Sequence, residues 1–435
     1  MVGKVAGPKD PCKMVQAIFF WLGIGTLLPW NMFITVNAYW NHKFRNITHE
    51  SNGTTQSEET EDLTALWPGY LAVASMVPNV TFLILNGVFG HRFKTQPRLL
   101  ASLILVIILF IFTSVMVQID TDEWQSSFLY LTLASVVIIN INSAIFQGGI
   151  LGVAGKFPPA YMGAVFSGQA LGGIFASGTN VVVLALGATP TQAAFFCFVL
   201  SVLFLGTALV AYMVATRSEF YKHYLGEGDQ LEKHDDHKLL ETSPDHKPTI
   251  PVKVNPLSVL AQIWPYGLAV LLTFLVTLGC FPAITVRVQS TESEGLWATK
   301  FFIPVSCFLL FNVGDYLGRF LAGLIQWPKP GRVGAILTLT FSLLRICFIP
   351  LFVICNASPG ARTLTPVLLE SDTAYIVIML LFSLTNGYLG SICMMGAPQV
   401  VLSEESQTAA SLMVALLGIG LGSGAFLSNF FVKLL

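Results

Sequence analysis

Residues 97–118 read Pro97-Arg-Leu-Leu-Ala-Ser-Leu-Ile-Leu-Val-Ile-Ile-Leu-Phe-Ile-Phe-Thr-Ser-Val-Met-Val-Gln118. Beyond Arg98 the stretch carries no charge, and its length suits a helix that crosses a bilayer, which takes about 20 apolar residues. A strand of a membrane barrel would need only about ten, alternating apolar and polar. Ten more stretches of this kind lie near 14–38, 68–90, 127–153, 160–187, 192–215, 257–286, 300–326, 333–355, 374–397 and 407–434. Across the 435 residues, hydrophobic types make up 54% and charged types 11%. An average soluble domain carries roughly 25% charged residues. The 23 Lys and Arg balance the 24 Asp and Glu, so no net field draws polyanions. A cytosolic enzyme, a disordered chain and a nucleic-acid binder are thereby excluded. The expected fold class is an all-α polytopic membrane protein with eleven transmembrane helices.

The first apolar run continues through Leu28-Pro-Trp-Asn31 without a small-residue cleavage site, so it reads as a span and not a signal peptide. Two polar stretches interrupt the spans. Residues 41–66 hold two glycosylation sequons, at Asn46 and Asn52. Residues 216–255 are charged and proline-containing and read as a linker. This second stretch divides the chain into a six-span bundle (1–215) and a five-span bundle (256–435). With a cytoplasmic N-terminus, the cytoplasmic side holds fifteen Lys and Arg against six outside, and Arg319 and Arg345 lie within spans. The positive-inside rule favours that orientation, and it places the sequon loop outside and the C-terminus exoplasmic. Asn79-Val-Thr lies inside a span and Asn356-Ala-Ser hugs a span end, so both sequons are expected to be silent.

All seven histidines fall outside the spans, and no glutamate falls inside one. The seven cysteines (Cys12, Cys197, Cys280, Cys307, Cys347, Cys355, Cys393) show no CxxC spacing and read as small packing residues, with no metal site. Gly155-Lys156 is followed by Phe157, so it is no phosphate-binding loop. No cofactor is expected, and no enzyme.

Polar groups inside spans are functional candidates by default. Phe308, Asn312, Asp315 and Arg319 form one helical stripe. An aromatic surface, an amide, an acceptor and a planar donor fork suit a neutral ligand with hydroxyls and a heteroaromatic ring. The same charges could simply lock two helices together. Asn140, Ser143 and Gln147 form a second stripe, suited either to a base edge or to interhelical hydrogen bonding. Leu27, Trp30 and Ile34, with Asn31 beside them, form a third, interrupted by Pro29. Trp30 there is a stacking surface or an interface anchor. Arg345 lies mid-span without an evident partner and reads as an internal salt bridge or a lining of the cytoplasmic exit. Gly168-xxx-Gly172 and Gly420-xxx-Gly424 read as close helix packing. Asp235-Asp-His-Lys-Leu-Leu240 has the spacing of an acidic dileucine sorting signal.

Six segments together resemble the equilibrative nucleoside transporter family over nearly the whole chain. They are Leu22-Gly-Ile-Gly-Thr-Leu-Leu-Pro-Trp-Asn31, Phe146-Gln-Gly148, Ser167-Gly-Gln169, Phe302-Ile-Pro304, Phe311-Asn-Val-Gly-Asp-Tyr-Leu-Gly-Arg319 and Asn386-Gly-Tyr-Leu389. The resemblance implies a fold similar to the major facilitator superfamily and facilitative transport of purine and pyrimidine nucleosides by alternating access. It implies ribose recognition by Asp315 and Arg319, with Asn312 and Phe308 beside them. It implies base contact by Gln147, further contacts from Leu27, Trp30, Asn31, Met76 and Ser143, and an outer gate of Ile34, Phe281 and Pro282. Some members have Gly at the Ser143 position, so Ser143 bears on sensitivity to bulky nucleoside analogues. The implied partners are nucleosides and the lipid bilayer, with no nucleic acid and no obligate protein.

The first expectation for the compartment is the plasma membrane. The alternative is the late endosome or lysosome, since Tyr70-Leu-Ala-Val-Ala-Ser75 and Leu296-Trp-Ala-Thr-Lys-Phe-Phe-Ile-Pro304 look closest to the endolysosomal branch, although the long N-terminal extension of that branch is not seen here. A proton-linked carrier is the rival mechanism. Only Asp315 could shuttle a proton within the spans, and an arginine one turn away holds it charged, which favours passive exchange. A receptor or scaffold is disfavoured by eleven spans and a charged stripe. An intramembrane enzyme would need a second carboxylate.

Overall fold

The computed structural model describes residues 10–45, 63–89, 93–225, 255–292, 294–358, 362, 365–402 and 405–433. Asn46, Asn52 and the dileucine sequence lie outside them. Among the described residues, eleven helices are long and apolar enough to cross a membrane. We label them α1 (Met14–Thr35), α2 (Leu63–Phe89), α3 (Thr95–Gln118), α4 (Gln125–Ala154), α5 (Pro159–Ala185), α6 (Pro190–Arg217), α7 (Pro256–Cys280), α8 (Ile303–Leu324), α9 (Arg332–Val353), α10 (Asp372–Gly396) and α11 (Ser406–Val432). Each lies within a few residues of its expected position. The face where α6 ends and α7 begins is called the linker face. The other, far face carries residues 36–45, 119–124, 281–292, 294–302, 354–358, 362 and 365–371.

Helix starts follow capping chemistry. Thr189 and Gln192 form a reciprocal capping box with Pro190 at the first position of α6. Asn255 caps α7 through the Leu257 amide at 3.0 Å, and Ser371 caps α10 through that of Ala374. Two helices depart from regular winding. Trp297–Phe301 and Ile303–Leu309, which lead into the α-helical Leu310–Leu324, wind as π-helix. Pro304 has no amide to donate, and its ring displaces the preceding turn. Helix α9 tightens to a 3-10 turn at Arg345–Cys347, where Pro350 withholds its amide from the carbonyl one turn earlier.

The most extensive helix contacts are α1 with α5, α8 with α10 and α7 with α11. Each depends on glycine, because packing in a membrane is won by close backbone approach. A Cβ on Gly168 would lie 2.1 Å from the Phe20 carbonyl oxygen, and one on Gly420 2.5 Å from that of Leu271. Both glycine pairs read from the sequence as packing motifs thus sit at helix crossings. Between α8 and α10 the contact is mutual: a Cβ on Gly318 would lie 2.2 Å from the Leu384 carbonyl oxygen, and one on Gly387 2.0 Å from that of Asp315. Helices α1–α6 contact mainly one another, as do α7–α11; the main crossings between the sets are α2 with α11 and α5 with α8.

On the far face, the two-turn helix Asn37–Lys43 packs against α6 and α2. Lys43 is buried, and its ammonium donates to the Ile119 carbonyl at 2.5 Å. Burial lowers the Lys43 pKa, with Asp120 and Asp122 opposing the shift. Arg45 pairs with Asp122. Asp372 accepts from Ser290 at 2.5 Å, from the Thr291 amide at 2.8 Å and from the Trp297 indole at 3.1 Å, tying the α7–α8 connection to α10. The Asn356 side chain donates to the Gln289 carbonyl at 3.0 Å.

A candidate substrate site between two helix sets

Asp315 and Arg319 stand one turn apart on α8, and Arg319 Nε donates to Asp315 Oδ2 at 2.7 Å. The Arg319 side chain keeps 36% of its surface exposed and that of Asp315 keeps 13%. The pair is therefore reachable from outside the protein, while each carboxylate oxygen keeps a lone pair beyond its one protein bond. The second bond comes from α10: Asn386 Nδ2 donates to Asp315 Oδ1 at 2.6 Å.

Phe308 and Asn312, placed on the same stripe by uniform helical counting, face elsewhere. For Phe308 the π turns that end at Leu309 change the phase, whereas Asn312 shares the regular helix of Asp315 and Arg319 and lies on its α5 side. Phe308 is 1% exposed and meets Phe281 edge-on, 5.7 Å between ring centroids. It is a buried part of the far-face closure and not an open platform. Asn312 is also buried; its Nδ2 donates to the Phe308 carbonyl at 2.9 Å and approaches Ser177 Oγ of α5 at 3.5 Å.

The missing Cβ of Gly173 on α5 would lie 2.0 Å from Asn312 Oδ1 and 3.3 Å from Asn31 Oδ1. The first-span and eighth-span motifs thus meet at one point on the α5–α8 crossing. Asn31 bonds back to the Leu27 carbonyl at 2.9 Å. Leu27 and Trp30 are half-buried. Trp30 packs with Met76 of α2, Leu278 of α7 and Ala425 of α11 in one apolar cluster that spans both helix sets. It is therefore a wall of the interior and not an anchor at the membrane surface. Ile34, Phe281 and Phe308 belong to one continuous apolar core, Pro282 is buried beside them, and Phe281 stacks on Phe311 at 4.0 Å. The far face is closed over the site.

The α4 stripe is looser. Asn140 bonds to its own helix at the Val136 carbonyl. Ser143 Oγ is buried with no hydrogen-bond partner. Gln147 is half-buried, and among the described residues no hydrogen bond joins it to the Asp315–Arg319 pair. Gln169 of α5 has a buried Nε2 with no partner. It lies one turn from Gly173, and only the Ser167-Gly-Gln169 motif marked it in the sequence.

The nucleoside transporter family profile matches residues 133–433. Human equilibrative nucleoside transporter 1 is 33% identical, with 98% of each chain covered. The chain belongs to the equilibrative nucleoside transporter family. Human equilibrative nucleoside transporter 2 is likewise 33% identical, over 98% of this chain and 99% of its own. Rat equilibrative nucleoside transporter 3 is 32% identical, over 96% and 88%. Among solved structures, a POT family transporter in complex with 5-aminolevulinic acid superposes with a TM-score of 0.60 at 13% identity, covering 99% of this chain and 94% of its own. The nucleoside transporter NupG does so with 0.54 at 11%, covering 95% and 90%. These likenesses show the major-facilitator-like fold. The protein is a multi-pass membrane protein of a transporter family, and not an enzyme.

Membership does not explain Arg345, which is 1% exposed and so lines no exit. Its Nη1 donates to the Phe382 carbonyl at 2.8 Å and to Thr385 Oγ1, and its Nη2 donates to Thr277 Oγ1 at 2.9 Å. The guanidinium lies 4.8 Å from the Phe382 ring centre. Among the described residues no carboxylate forms a salt bridge with it, so the internal ion pair expected from the sequence is replaced by hydroxyl, carbonyl and ring contacts. Thr277 in turn donates to Asn386 Oδ1 at 2.7 Å.

Proposed function

We propose that this chain carries purine and pyrimidine nucleosides across a membrane by facilitated, sodium-independent transport. One observation carries the reading: a partly exposed Asp315–Arg319 pair on α8, one turn from the α5–α8 crossing where Asn312 and Asn31 meet Gly173. Asp315 accepts from ribose hydroxyls, Arg319 donates to them, Gln147 reads the base edge, and Leu27, Trp30 and Met76 supply apolar walls. Ser143 adjoins the base, and Asn31 with Asn312 set the crossing on which the site rests. Residues 1–215 and 256–435 move as two bodies joined by 216–255, in support of which the main crossings are limited to α2–α11 and α5–α8. The outer gate opens by parting Ile34 from Phe281 and Pro282.

The same reading puts the N-terminus in the cytoplasm, the C-terminus outside, and glycans on Asn46 and Asn52. The plasma membrane is the assigned compartment, and surface biotinylation with glycosidase digestion checks both assignments. The deciding experiment is uptake of labelled adenosine and uridine into proteoliposomes, with and without an inward proton gradient. Saturable uptake that only equilibrates, whatever the gradient, is expected. Accumulation that requires the gradient would replace this reading with a proton-linked carrier.

A further inference from the structure

We propose that Arg345 is a positioning residue for the substrate site, acting on Asp315 through Thr277 and Asn386. The proposal rests on the reading of Asp315 as the ribose acceptor.

The four side chains come from four helices: Arg345 from α9, Thr277 from α7, Asn386 from α10 and Asp315 from α8. The three links measure 2.9, 2.7 and 2.6 Å. Thr277, Asn386 and Arg345 are all buried, so water does not compete for these bonds.

The direction of the chain is set by its ends. Arginine only donates, and an ionised carboxylate only accepts. Because Asp315 only accepts, the Asn386 amide presents Nδ2 to it and turns Oδ1 toward Thr277. Thr277 Oγ1 accepts from Arg345, and its single proton is shared between Asn386 Oδ1 and the Thr273 carbonyl, each 2.7 Å away. The amide can hold the carboxylate in only one of its two orientations, since the flipped amide would set oxygen against oxygen. Bonds in such a series polarise one another in a low-dielectric interior. Two arginines thus converge on one carboxylate, Arg319 directly and Arg345 through two neutral links. Asp315 is held with one lone pair on each oxygen directed away from the protein's own donors. A buried cation with no carboxylate in contact is otherwise costly. Linkage to Asp315 gives its charge a counterpart inside the same helix set.

The test compares Thr277→Val, Thr277→Ser, Asn386→Ala and Asp315→Asn in proteoliposomes, with folded protein quantified by size-exclusion profile. The substrates are uridine and 3′-deoxyuridine, and the readout is the ratio of their KM values. The valine keeps the shape of threonine and removes the link. We expect KM for uridine to rise about tenfold, as loss of a buried hydrogen bond implies, with 3′-deoxyuridine little affected, so that the ratio collapses. Asn386→Ala is expected to do the same, and Thr277→Ser to restore the ratio. A general packing defect would lower folded yield or Vmax for both substrates alike and leave the ratio intact. Collapse of the ratio in Asp315→Asn but not in Thr277→Val or Asn386→Ala would overturn the relay and leave the site standing. An unchanged ratio in Asp315→Asn would overturn the ribose-acceptor reading and the relay with it.

Discussion

Asn386 reaches Asp315 because residue 387 has no side chain: the Cβ that Gly387 lacks would sit 2.0 Å from the Asp315 carbonyl oxygen and 2.9 Å from the Arg319 amide nitrogen. The amide that orients the carboxylate and the glycine that admits it are neighbours in Asn386-Gly-Tyr-Leu389. The next residue secures the other end of the same seam, since the Tyr388 hydroxyl shares its proton between the Ile325 and Trp327 carbonyls just beyond α8.

Gly387→Ala must push α8 from α10, because the obstacle is backbone and cannot turn aside. Overpacking of this kind costs about 1–3 kcal/mol. A lower melting temperature in detergent and weaker uridine affinity are expected together. Gly323→Ala is the control, because its Cβ would meet nothing within 4 Å. A melting curve for Gly387→Ala that matches that of Gly323→Ala would show that the seam is not so tight.

Arg319→Ala is expected to abolish uptake while membrane abundance is kept, because a side chain 36% exposed is not a core support. Arg319→Lys should recover little, since an ammonium lacks the planar fork that serves a carboxylate and a hydroxyl at once. Uptake of labelled uridine against total protein on a blot decides it. Normal uptake by the alanine variant would remove Arg319 from the site.

The eleven spans, the Asp315–Arg319 pair and the two glycine pairs were all legible in the sequence, because each depends on local spacing or on bilayer length. The burial of Phe308 against Phe281 was not legible, because it lies in π-wound turns that no count at 3.6 residues per turn anticipates. The contacts of Arg345 were not legible, because its partners Thr277 and Thr385 are single hydroxyls in apolar runs on other helices. Only the fold brings them together. Asn386 was visible as part of a motif, but its bond to Asp315 depends on the approach that Gly387 permits.

Gly173→Ala acts where the two helix sets meet. The added methyl lies 2.0 Å from Asn312 Oδ1, so that amide must leave the α5–α8 crossing. The far-face-closed arrangement loses stability relative to its alternative, by about 1–3 kcal/mol if the methyl is accommodated as other overpacked cores are. A population shift of about thirtyfold toward the far-face-open state follows at the middle of that range. In Ile34→Cys protein, an impermeant maleimide applied to the far side should then label residue 34 faster when Gly173→Ala is added. Labelling at the same rate would place the crossing outside the gating contacts.

Ser143→Gly tests what the α4 stripe contributes. The Ser143 hydroxyl is buried without a partner, one turn from Gln147. An unpaired hydroxyl in such a place is costly, and it fills volume beside the residue assigned to the base edge. Its removal relieves that cost but brings a mid-helix glycine penalty of about 1 kcal/mol, so the effect on stability is small. The effect on binding is selective. A nucleoside that bears a bulky aryl group on the base gains the vacated space, whereas uridine does not reach it. Inhibition of uridine uptake by such an analogue should strengthen about tenfold, the equivalent of burying one to two methylenes, with KM for uridine altered less than about twofold. Equal changes for both ligands would mean that residue 143 acts through the packing of α4 as a whole and not by occupying space beside the base.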